Sequence, residues 1–331
     1  MESFVDISLV VPLYNEEENV DLLYQELKEV LLSMPGQSEI IFIDDGSKDT
    51  TLTHLEAIQG NDPLVRVVSL RRNFGQTAAM AAGFDHASGS IIVTMDGDLQ
   101  NDPHDIPKMI AKLHEGYDVI TGWRFDRQDP FLSRKLPSKL ANGLISKVTG
   151  VRLHDYGCTL KAFRREVIEN INLYGEMHRF IPAIASGMGI SFTEIKVNHR
   201  PRRFGKSKYG ISRTIRVLLD LMTVKFLLTY ATRPLHVFGT IGFVSSAVGF
   251  FLAFVMFIQR QFFGVGLADR PLLLLAVLLI FLGIQFITIG LLAELVVRTY
   301  HESQKKPIYY VRKILGSPGT PLGQQAAKED E

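Results

Sequence analysis

The sequence predicts an α/β fold with a mainly parallel sheet, followed by amphipathic helices and two transmembrane helices. Up to about residue 121, apolar β-rich runs alternate with helical segments, a pattern typical of a parallel sheet covered on both faces. Acidic clusters directly follow two of these runs. Two uncharged apolar stretches of membrane-spanning length lie towards the C-terminus.

The elements of the predicted sheet occupy the first third of the chain. We predict strands over residues 7–11, 40–43, 65–70, 91–95 and 117–121. Asn15 is predicted to cap the first helix, because glutamates follow it and acidic side chains favour the positive end of a helix. Further helices are predicted from Asp49, Gln76 and Pro103, the last because proline suits a first turn.

The chain becomes polar and basic after the fifth predicted strand. Residues 131–150 are predicted to form a basic helical segment, and residues 192–197 a late strand. Residues 211–230 carry arginine and lysine among leucines, which predicts one or two amphipathic helices. Helices of this kind either lie in a membrane interface or pack on the soluble domain, and both interpretations are retained.

Two apolar runs predict transmembrane helices over residues 235–258 and 271–297. The first run has no Asp, Glu, Lys or Arg, and as a helix it would extend roughly 36 Å, enough to cross a hydrocarbon core. The segments that flank the pair are richer in Lys and Arg than the loop at 259–270. The positive-inside rule therefore predicts that the α/β domain and both termini are cytoplasmic.

These patterns divide the chain into four parts. We predict an α/β domain over 1–210, interfacial helices over 211–232, a two-helix membrane domain over 233–300, and a tail over 301–331. The tail is polar and contains glycine and proline after Gly316, which predicts partial disorder.

Composition excludes several classes of protein. The formal net charge is +1, which does not favour nucleic acid as a partner. Cys158 is the only cysteine, so no internal disulfide is possible and a cytosolic location is expected. The first residues lack a basic region and a long apolar core, so no secretory signal is expected.

Carboxylates follow two of the predicted parallel strands, at the edge where open α/β sheets bind ligands. Asp96 and Asp98, with the amide of Gln100 two residues further on, suit a hard divalent cation that keeps positions open for phosphate oxygens. An alternative role for such aspartates is to cap turns. Asp45 would accept a hydrogen bond from a nucleobase N–H, or else cap the helix that follows.

Basic side chains form a second group, suited to phosphate because arginine forks match phosphate oxygens and lysine adds a point charge. The group consists of Arg124, Arg127, Arg134, Lys135, Arg202, Lys206 and Lys208. A solvated surface is the alternative interpretation. Arg200 stands where a P-loop needs its first glycine, which argues against that motif. A dinucleotide-binding glycine pattern after a strand and a zinc-spaced His/Cys cluster are both absent from the sequence.

Seven motifs occur in an order that resembles a known family. They are VPLYNE at 11–16, DDGS at 44–47, NFGQ at 73–76, DGDLQ at 96–100, GWR at 122–124, DYGC at 155–158 and RRFGKSKY at 202–209. Together they resemble family 2 glycosyltransferases of the dolichol-phosphate mannosyltransferase type. The similarity is greater to the bacterial polyprenyl-phosphate glycosyltransferases with two C-terminal spans, and it covers roughly residues 5 to 300.

The resemblance implies a GT-A fold, an inverting transfer and specific residue roles. Asp98, Asp155 and Arg202 would be the catalytic residues, with Asp155 orienting the acceptor. The nucleotide-sugar would be bound by Pro12, Tyr14, Glu16, Asp45, Asp96, Arg202, Ser207 and Lys208, the last three in a mobile loop. Mg²⁺ or Mn²⁺ would be held by Asp96, Asp98 and Gln100. The acceptor phosphate would be bound by Arg124, Arg127 and Arg134.

The same resemblance implies substrates and a location. A nucleotide-sugar, favoured as a UDP-hexose such as UDP-glucose, would transfer its sugar to undecaprenyl phosphate at the bacterial inner membrane. A GDP-mannose-dependent enzyme and a membrane scaffold with a degenerate nucleotide site are the alternatives. A homo-oligomer, with a tetramer as one form, is also implied. The chain lacks a Q-x-x-R-W motif, which argues against a processive synthase.

Overall fold

The computed structural model describes residues 5–125, 149–171, 177–201, 234–264, 271–303 and 308–316, and also 142–143, 145–146, 173, 203 and 266. The chain divides into two compact units. One comprises Met1–Val224 together with Pro307–Glu331, and the other comprises Lys225–Lys306. The predicted interfacial helices at 211–232 and the tail after Gly316 lie outside the described residues.

The first unit is built from strands and helices that alternate along the chain. Its strands are β1 (Ile7–Leu13), β2 (Ser38–Asp44), β3 (Val65–Leu70), β4 (Ile91–Thr94), β5 (Val119–Arg124), β6 (Lys161–Arg164), β7 (Phe192–Val197) and β8 (Val311–Leu315). Its α-helices are α1 (Val20–Ser33), α2 (Thr51–Asn61), α3 (Gln76–His86), α4 (Ile106–His114), α5 (Arg165–Glu169) and α6 (Ile181–Ser186). The predicted α/β class is confirmed.

The strands form one mixed sheet in the order β7-β5-β6-β4-β1-β2-β3-β8. Parallel pairing joins β4, β1, β2 and β3 in the centre, and β5 to β7 at one side. Antiparallel pairing places β6 between β4 and β5, and β8 along β3. The central strands are buried on both faces, because helices cover each side of a mainly parallel sheet.

Packing of α1 shows how the pattern of the sequence produces the main core. Val20, Leu23 and Leu27 recur at helical spacing and are fully buried. They join Leu9 and Phe42, on β1 and β2, in one apolar cluster. Each side chain of this size contributes about 1.5–3 kcal/mol when it is fully buried. The core therefore fixes the strand ends that carry the polar groups described below.

The structure corrects the predicted cap of the first helix. The helix α1 begins at Val20, and its N-cap is Asn19 rather than Asn15. Asn15 has a backbone φ of 53°, in the left-handed region. Its side chain accepts a hydrogen bond from Lys48 N over 2.8 Å, so it links two loops instead of starting a helix.

The sequence predicted the parallel strands and missed the two antiparallel ones. Both β6 and β8 are short, and each follows a segment of mixed polarity that carries no strand periodicity. Their partners in the sheet lie far away in the chain. Pairing across that distance is a tertiary effect, which a local pattern does not report.

The second unit consists of two long apolar helices, α7 (Pro234–Phe263) and α8 (Pro271–Ser303). They pack against each other where small residues allow close approach: a Cβ added at Gly242 would lie 2.5 Å from the carbonyl oxygen of Gly283. The apolar segments Phe238–Phe263 and Pro271–Ala293 are long enough to cross a membrane, and in an 18-residue stretch of each only 17% and 11% of the residues are buried. Such exposure is unlike that of a core helix in a soluble protein and confirms two candidate spans.

Candidate active site

Three adjacent parallel strands bring the predicted donor-site residues to one edge of the sheet. In the β1–β2 pair Leu13 lies opposite Asp44, and in the β1–β4 pair Val10 lies opposite Thr94. The loops that begin at Tyr14, Asp45 and Met95 therefore leave the sheet side by side. This is the carboxyl edge, where ligands bind in open α/β sheets.

The loop after β1 is tied to the loop after β2 by hydrogen bonds. Asn15 N donates to Ser47 Oγ over 3.0 Å, and Glu16 N donates to Thr51 Oγ1 over 2.9 Å. Pro12, Tyr14 and Glu16, which were predicted to contact the nucleoside, are half-buried along this joined pair of loops. The loops form one wall of the site.

Asp44 and Asp45 are adjacent in sequence but have different surroundings. Asp44 is buried and accepts hydrogen bonds from Ser47 N at 3.0 Å and Ser69 Oγ at 2.9 Å, which holds the turn after β2. Asp45 accepts from Phe74 N at 2.7 Å and Gly75 N at 2.9 Å. Asp45 therefore contacts the entry to α3 and does not cap α2.

The environment of Asp45 raises its pKa to about 6. Burial is the main cause, since the ionised carboxylate loses solvation, and the two main-chain N–H groups oppose the shift only partly. A buried carboxylate that is held from one side by main-chain donors is suited to accept a further N–H from a ligand.

Asp96 and Asp98 follow β4, and the backbone directly after Asp98 has an unusual conformation. Leu99 has φ of 60°, in a region that residues other than glycine seldom adopt. Asp96 Oδ1 accepts from Gln76 Nε2 at 2.6 Å, and buried Asp98 accepts from Gln100 N at 3.2 Å. Burial, and next the charge of Asp98, raise the pKa of Asp96. A cation bound between the two side chains would offset the repulsion that disfavours the ionised form of Asp96.

The donor set fits an open divalent-metal site. Among the described residues, no group of three or more His, Cys, Asp or Glu is placed to enclose a metal ion. Two carboxylates with room for substrate oxygens match the way Mg²⁺ is held in sites that also bind phosphate. The main-chain carbonyl of Gln100 accepts from Arg200 N at 2.8 Å, which fixes the backbone at the third predicted ligand.

Arg124 and Asp155 were assigned separate roles at the acceptor, and the structure joins them in an ion pair. Arg124 donates from Nε to Asp155 Oδ2 at 2.6 Å and from Nη2 to Oδ1 at 2.9 Å. The side chains are 15% and 5% exposed. The carboxylate and its hydrogen bonds raise the pKa of Arg124 even though burial opposes this. Nη1 takes no part in this fork.

A buried lysine lies beside that ion pair, on the antiparallel strand that the sequence did not predict. Lys161 on β6 lies opposite Thr94 and Thr121 and is 1% exposed. Burial lowers the pKa of Lys161 to about 8. Cys158 is also buried, and burial raises the pKa of its thiol to about 11. Because this thiol stays protonated near neutral pH, it is not a nucleophile.

Arg200 is a further anchor that the sequence did not reveal. It donates to Glu26 at 2.6 Å and to Asp102 at 2.8 Å, so it holds the chain that follows β7 against the domain. From the sequence, Arg200 was interpreted only as evidence against a P-loop. Gln76 was likewise missed as a contact of Asp96, although it lies in the NFGQ motif. Arg127, Arg134, Arg202, Ser207 and Lys208 lie outside the described residues.

Comparison with known proteins defines the class to which this fold and site belong. Residues 8–171 match the profile of Glycosyl transferase family 2. Dodecaprenyl-phosphate galacturonate synthase from Rhizobium johnstonii is 46% identical over 314 residues, which cover 94% of this chain and 93% of the relative. Undecaprenyl-phosphate 4-deoxy-4-formamido-L-arabinose transferase from Proteus mirabilis is 38% identical over 317 residues, with 95% of each chain covered.

Solved structures support the fold. Glucosyl-3-phosphoglycerate synthase from Mycobacterium tuberculosis, in complex with Mn²⁺, UDP and glucosyl-3-phosphoglycerate, matches with a TM-score of 0.53 and 18% identity. The match covers 68% of this chain and 80% of that one. The predicted GT-A fold is confirmed.

The chain belongs to glycosyltransferase family 2. Within that family its relatives are polyprenyl-phosphate sugar transferases with which it shares nearly its whole length, as the seven motifs predicted.

Proposed function

We propose that the protein is a metal-dependent, inverting glycosyltransferase that moves a sugar from a nucleotide-sugar to a polyprenyl phosphate. The observation that carries this proposal is the meeting of Asp45, Asp96 and Asp98 at one carboxyl edge of the sheet. Two relatives named for dodecaprenyl phosphate and undecaprenyl phosphate support the choice of acceptor.

Asp45 and the loop after β1 bind the nucleoside in this proposal. The carboxylate accepts an N–H of the base while Phe74 N and Gly75 N fix its other side. A nucleobase N–H would donate to the Asp45 carboxylate. This hydrogen bond would offset the solvation that the ionised carboxylate loses on burial. Pro12, Tyr14 and Glu16 complete the pocket.

The diphosphate lies at Asp96 and Asp98, with Gln100 beside them. A divalent cation bound there supplies Lewis-acid neutralisation of the charge that develops on the leaving diphosphate. From the basic loop, Arg202, Ser207 and Lys208 close over the same group and add charge-assisted hydrogen bonds. Arg200, which precedes these residues in the chain, is itself held by Glu26 and Asp102.

The lipid phosphate is placed by the basic group after β5. Arg124, Arg127 and Arg134 bind its oxygens, and Asp155 orients Arg124. A phosphate monoester carries about −1.5 to −2 charge near pH 7, so its oxygen attacks without a strong general base. A new bond forms between that oxygen and the anomeric carbon as the bond to the diphosphate breaks, which inverts the configuration. The protein contributes alignment and charge neutralisation.

A UDP-sugar is the proposed donor. The solved relative of this fold that contains UDP and Mn²⁺ supports uridine as the base. Among the sugars, galacturonic acid is the first to examine, because the relative at 46% identity is a galacturonate synthase. UDP-glucose and GDP-mannose are the comparisons that test hexose and nucleotide specificity.

The proposed location is the bacterial inner membrane, with the catalytic unit in the cytoplasm. β8 follows both apolar helices in the chain and pairs with β3, which precedes them. Strands of one sheet lie on one side of a membrane, so the chain between them crosses an even number of times. Two spans meet this condition, and the basic flanks favour the cytoplasmic side.

Cysteine labelling tests this topology, because native Cys158 is buried. In intact cells, an impermeant reagent is expected to reach a cysteine in Gly266→Cys and to miss one in Ser303→Cys. Labelling of Ser303→Cys alone would place the catalytic unit outside.

The function itself is tested with purified full-length protein, undecaprenyl phosphate, Mg²⁺ or Mn²⁺ and labelled UDP-galacturonate, UDP-glucose and GDP-mannose. We expect label in the lipid extract with a UDP-sugar and none in excess EDTA. Label from GDP-mannose alone would support the mannosyltransferase alternative. Absence of transfer from every donor, in protein that still binds UDP, would support the non-catalytic scaffold.

A further inference from the structure

We propose that residues 309–315, which follow the second apolar helix, position the donor site. This C-terminal segment comprises Tyr309, Tyr310 and the strand β8. The inference rests on the proposed function, because it concerns the nucleotide pocket at Asp45. Tyr310 acts here as a positioning residue, through the loop that contacts Asp45.

The C-terminal segment extends the sheet beside the donor loop. β8 runs antiparallel to β3, with Val67 opposite Leu315 and Leu70 opposite Val311. The pairing continues past the end of β3, where Arg71 N donates to Tyr310 O over 2.9 Å. The backbone is therefore held from the edge strand into the loop at 71–75.

Tyr310 reaches the part of that loop that binds Asp45. Its ring lies 6.0 Å from the ring of Phe74, at an interplanar angle of 49°. The guanidinium of Arg72 lies over the other ring of this pair, 4.2 Å from the ring centre of Phe74. The main-chain N–H of Phe74 is one of the two donors to Asp45, so a shift of the backbone at Phe74 would move that donor.

The loop is packed closely against the turn that follows β2. Gly46 has φ of +66°, and a Cβ there would lie 2.5 Å from the carbonyl carbon of Arg72. Because the two backbones touch at this point, a displacement of the loop at 71–75 also moves the turn that carries Asp45. The C-terminal segment contacts the loop at 71–75 through Tyr310 and so helps to hold it against this turn.

Tyr309 anchors the same segment to the helix that follows the loop. Its side chain is buried, and its hydroxyl donates to Asp85 Oδ2 over 2.7 Å. Asp85 lies near the end of α3, and Gln76 at the beginning of that helix donates to Asp96. The two tyrosines therefore brace the loop and the helix that contact Asp45 and Asp96.

Loss of the Tyr310 ring should loosen the donor loop without altering the acceptor side. An aromatic pair contributes enough free energy to change an equilibrium about 2–12-fold. We therefore expect Tyr310→Ala to raise both the dissociation constant for UDP with Mn²⁺ and the KM for the nucleotide-sugar by about 3–10-fold. The KM for undecaprenyl phosphate should stay unchanged.

Two variants control this experiment in the full-length protein. Tyr310→Phe keeps the ring and should restore wild-type UDP affinity. Lys313→Ala alters the same segment at an exposed side chain that pairs with Glu56 at 3.1 Å, and it should leave both KM values unchanged. Amide hydrogen exchange supplies a second readout: Phe74 and Gly75 should exchange faster in Tyr310→Ala than in Tyr310→Phe.

The outcomes separate this inference from the function on which it rests. Wild-type protein that transfers sugar, together with a Tyr310→Ala variant of unchanged UDP affinity and amide exchange, would overturn the inference alone. A parallel rise of both KM values with a lower Tm would overturn it too, since that pattern means general destabilisation. Failure of wild-type protein to bind UDP would overturn the proposed UDP donor and, with it, this inference.

Discussion

The proposed donor side and the proposed acceptor side of the site hold their charged groups in different ways. On the donor side, Asp45 is fixed by main-chain N–H groups from another loop. On the acceptor side, Arg124 is fixed by another side chain, Asp155. Donors on the backbone form part of the fold, whereas a side-chain pair can be rearranged by a ligand. We infer that the nucleotide pocket is preformed and that the acceptor pocket adapts when the lipid phosphate arrives.

The largest expected effect is the loss of a metal ligand. Asp98→Asn keeps the shape of the side chain but removes its charge, so activity should fall by at least about 100-fold with little change in Tm. Glu115→Gln, an exposed carboxylate paired with Lys112, is the matched control and should retain full activity. Transfer at the wild-type rate by Asp98→Asn, or by wild-type protein in excess EDTA, would contradict the metal assignment.

Breaking the acceptor-side ion pair should affect both stability and acceptor binding. Arg124→Ala leaves Asp155 buried without its cation, which should cost about 3 kcal/mol of folding stability. Thermal unfolding measures this loss, and an acceptor titration should show a higher KM for undecaprenyl phosphate. A variant as stable as wild type, with an unchanged KM for undecaprenyl phosphate, would contradict the role given to this ion pair.

The donor side should respond to pH through Asp45. Its pKa is raised to about 6, so the carboxylate takes up a proton as the pH falls through that value and loses the charge that strengthens its hydrogen bond to a base N–H. Below about pH 6 the KM for the nucleotide-sugar should rise up to about tenfold per pH unit. Kinetics between pH 5 and pH 8 measure the slope.

Lowering the pH should increase folding stability through Asp45, although it weakens donor binding. A carboxyl whose pKa is higher in the folded state binds its proton more tightly there, so it adds stability as the pH falls from about 6 towards its unfolded value. Asp45→Asn should weaken donor binding at neutral pH and remove both pH effects. An unchanged pH profile in that variant would show that another group titrates.

The smallest expected effect concerns Gln76, which donates to Asp96 over 2.6 Å. Gln76→Ala should reduce the apparent affinity for Mn²⁺ by about tenfold, the value of one hydrogen bond to a charged group. A titration of activity against Mn²⁺ measures it, with Gln59→Ala on α2 as a control. Equal Mn²⁺ dependence in both variants would show that Gln76 does not contribute to metal binding.

The sequence predicted the parallel part of the fold because each strand and helix has its own local pattern. The motifs also placed Asp45, Asp96 and Asp98 at strand ends, where the structure has them. What it did not predict depends on pairing across long distances. The ion pair of Arg124 with Asp155 spans 31 residues, and Tyr309 reaches Asp85 across 224. Local periodicity does not predict contacts between residues so far apart in the chain. For the same reason, β8 resembles a polar tail in the sequence, although it pairs with β3 in the structure.

One pair of saturation curves tests the separation of the two sides most directly. Transfer rates are measured for Asp45→Asn and Arg134→Ala, first against UDP-sugar at saturating undecaprenyl phosphate and then against undecaprenyl phosphate at saturating UDP-sugar. We predict that Asp45→Asn raises only the donor KM and that Arg134→Ala raises only the acceptor KM. A donor shift in Arg134→Ala with an unchanged acceptor curve would contradict the account, because the two phosphate sites would then have to be exchanged or merged.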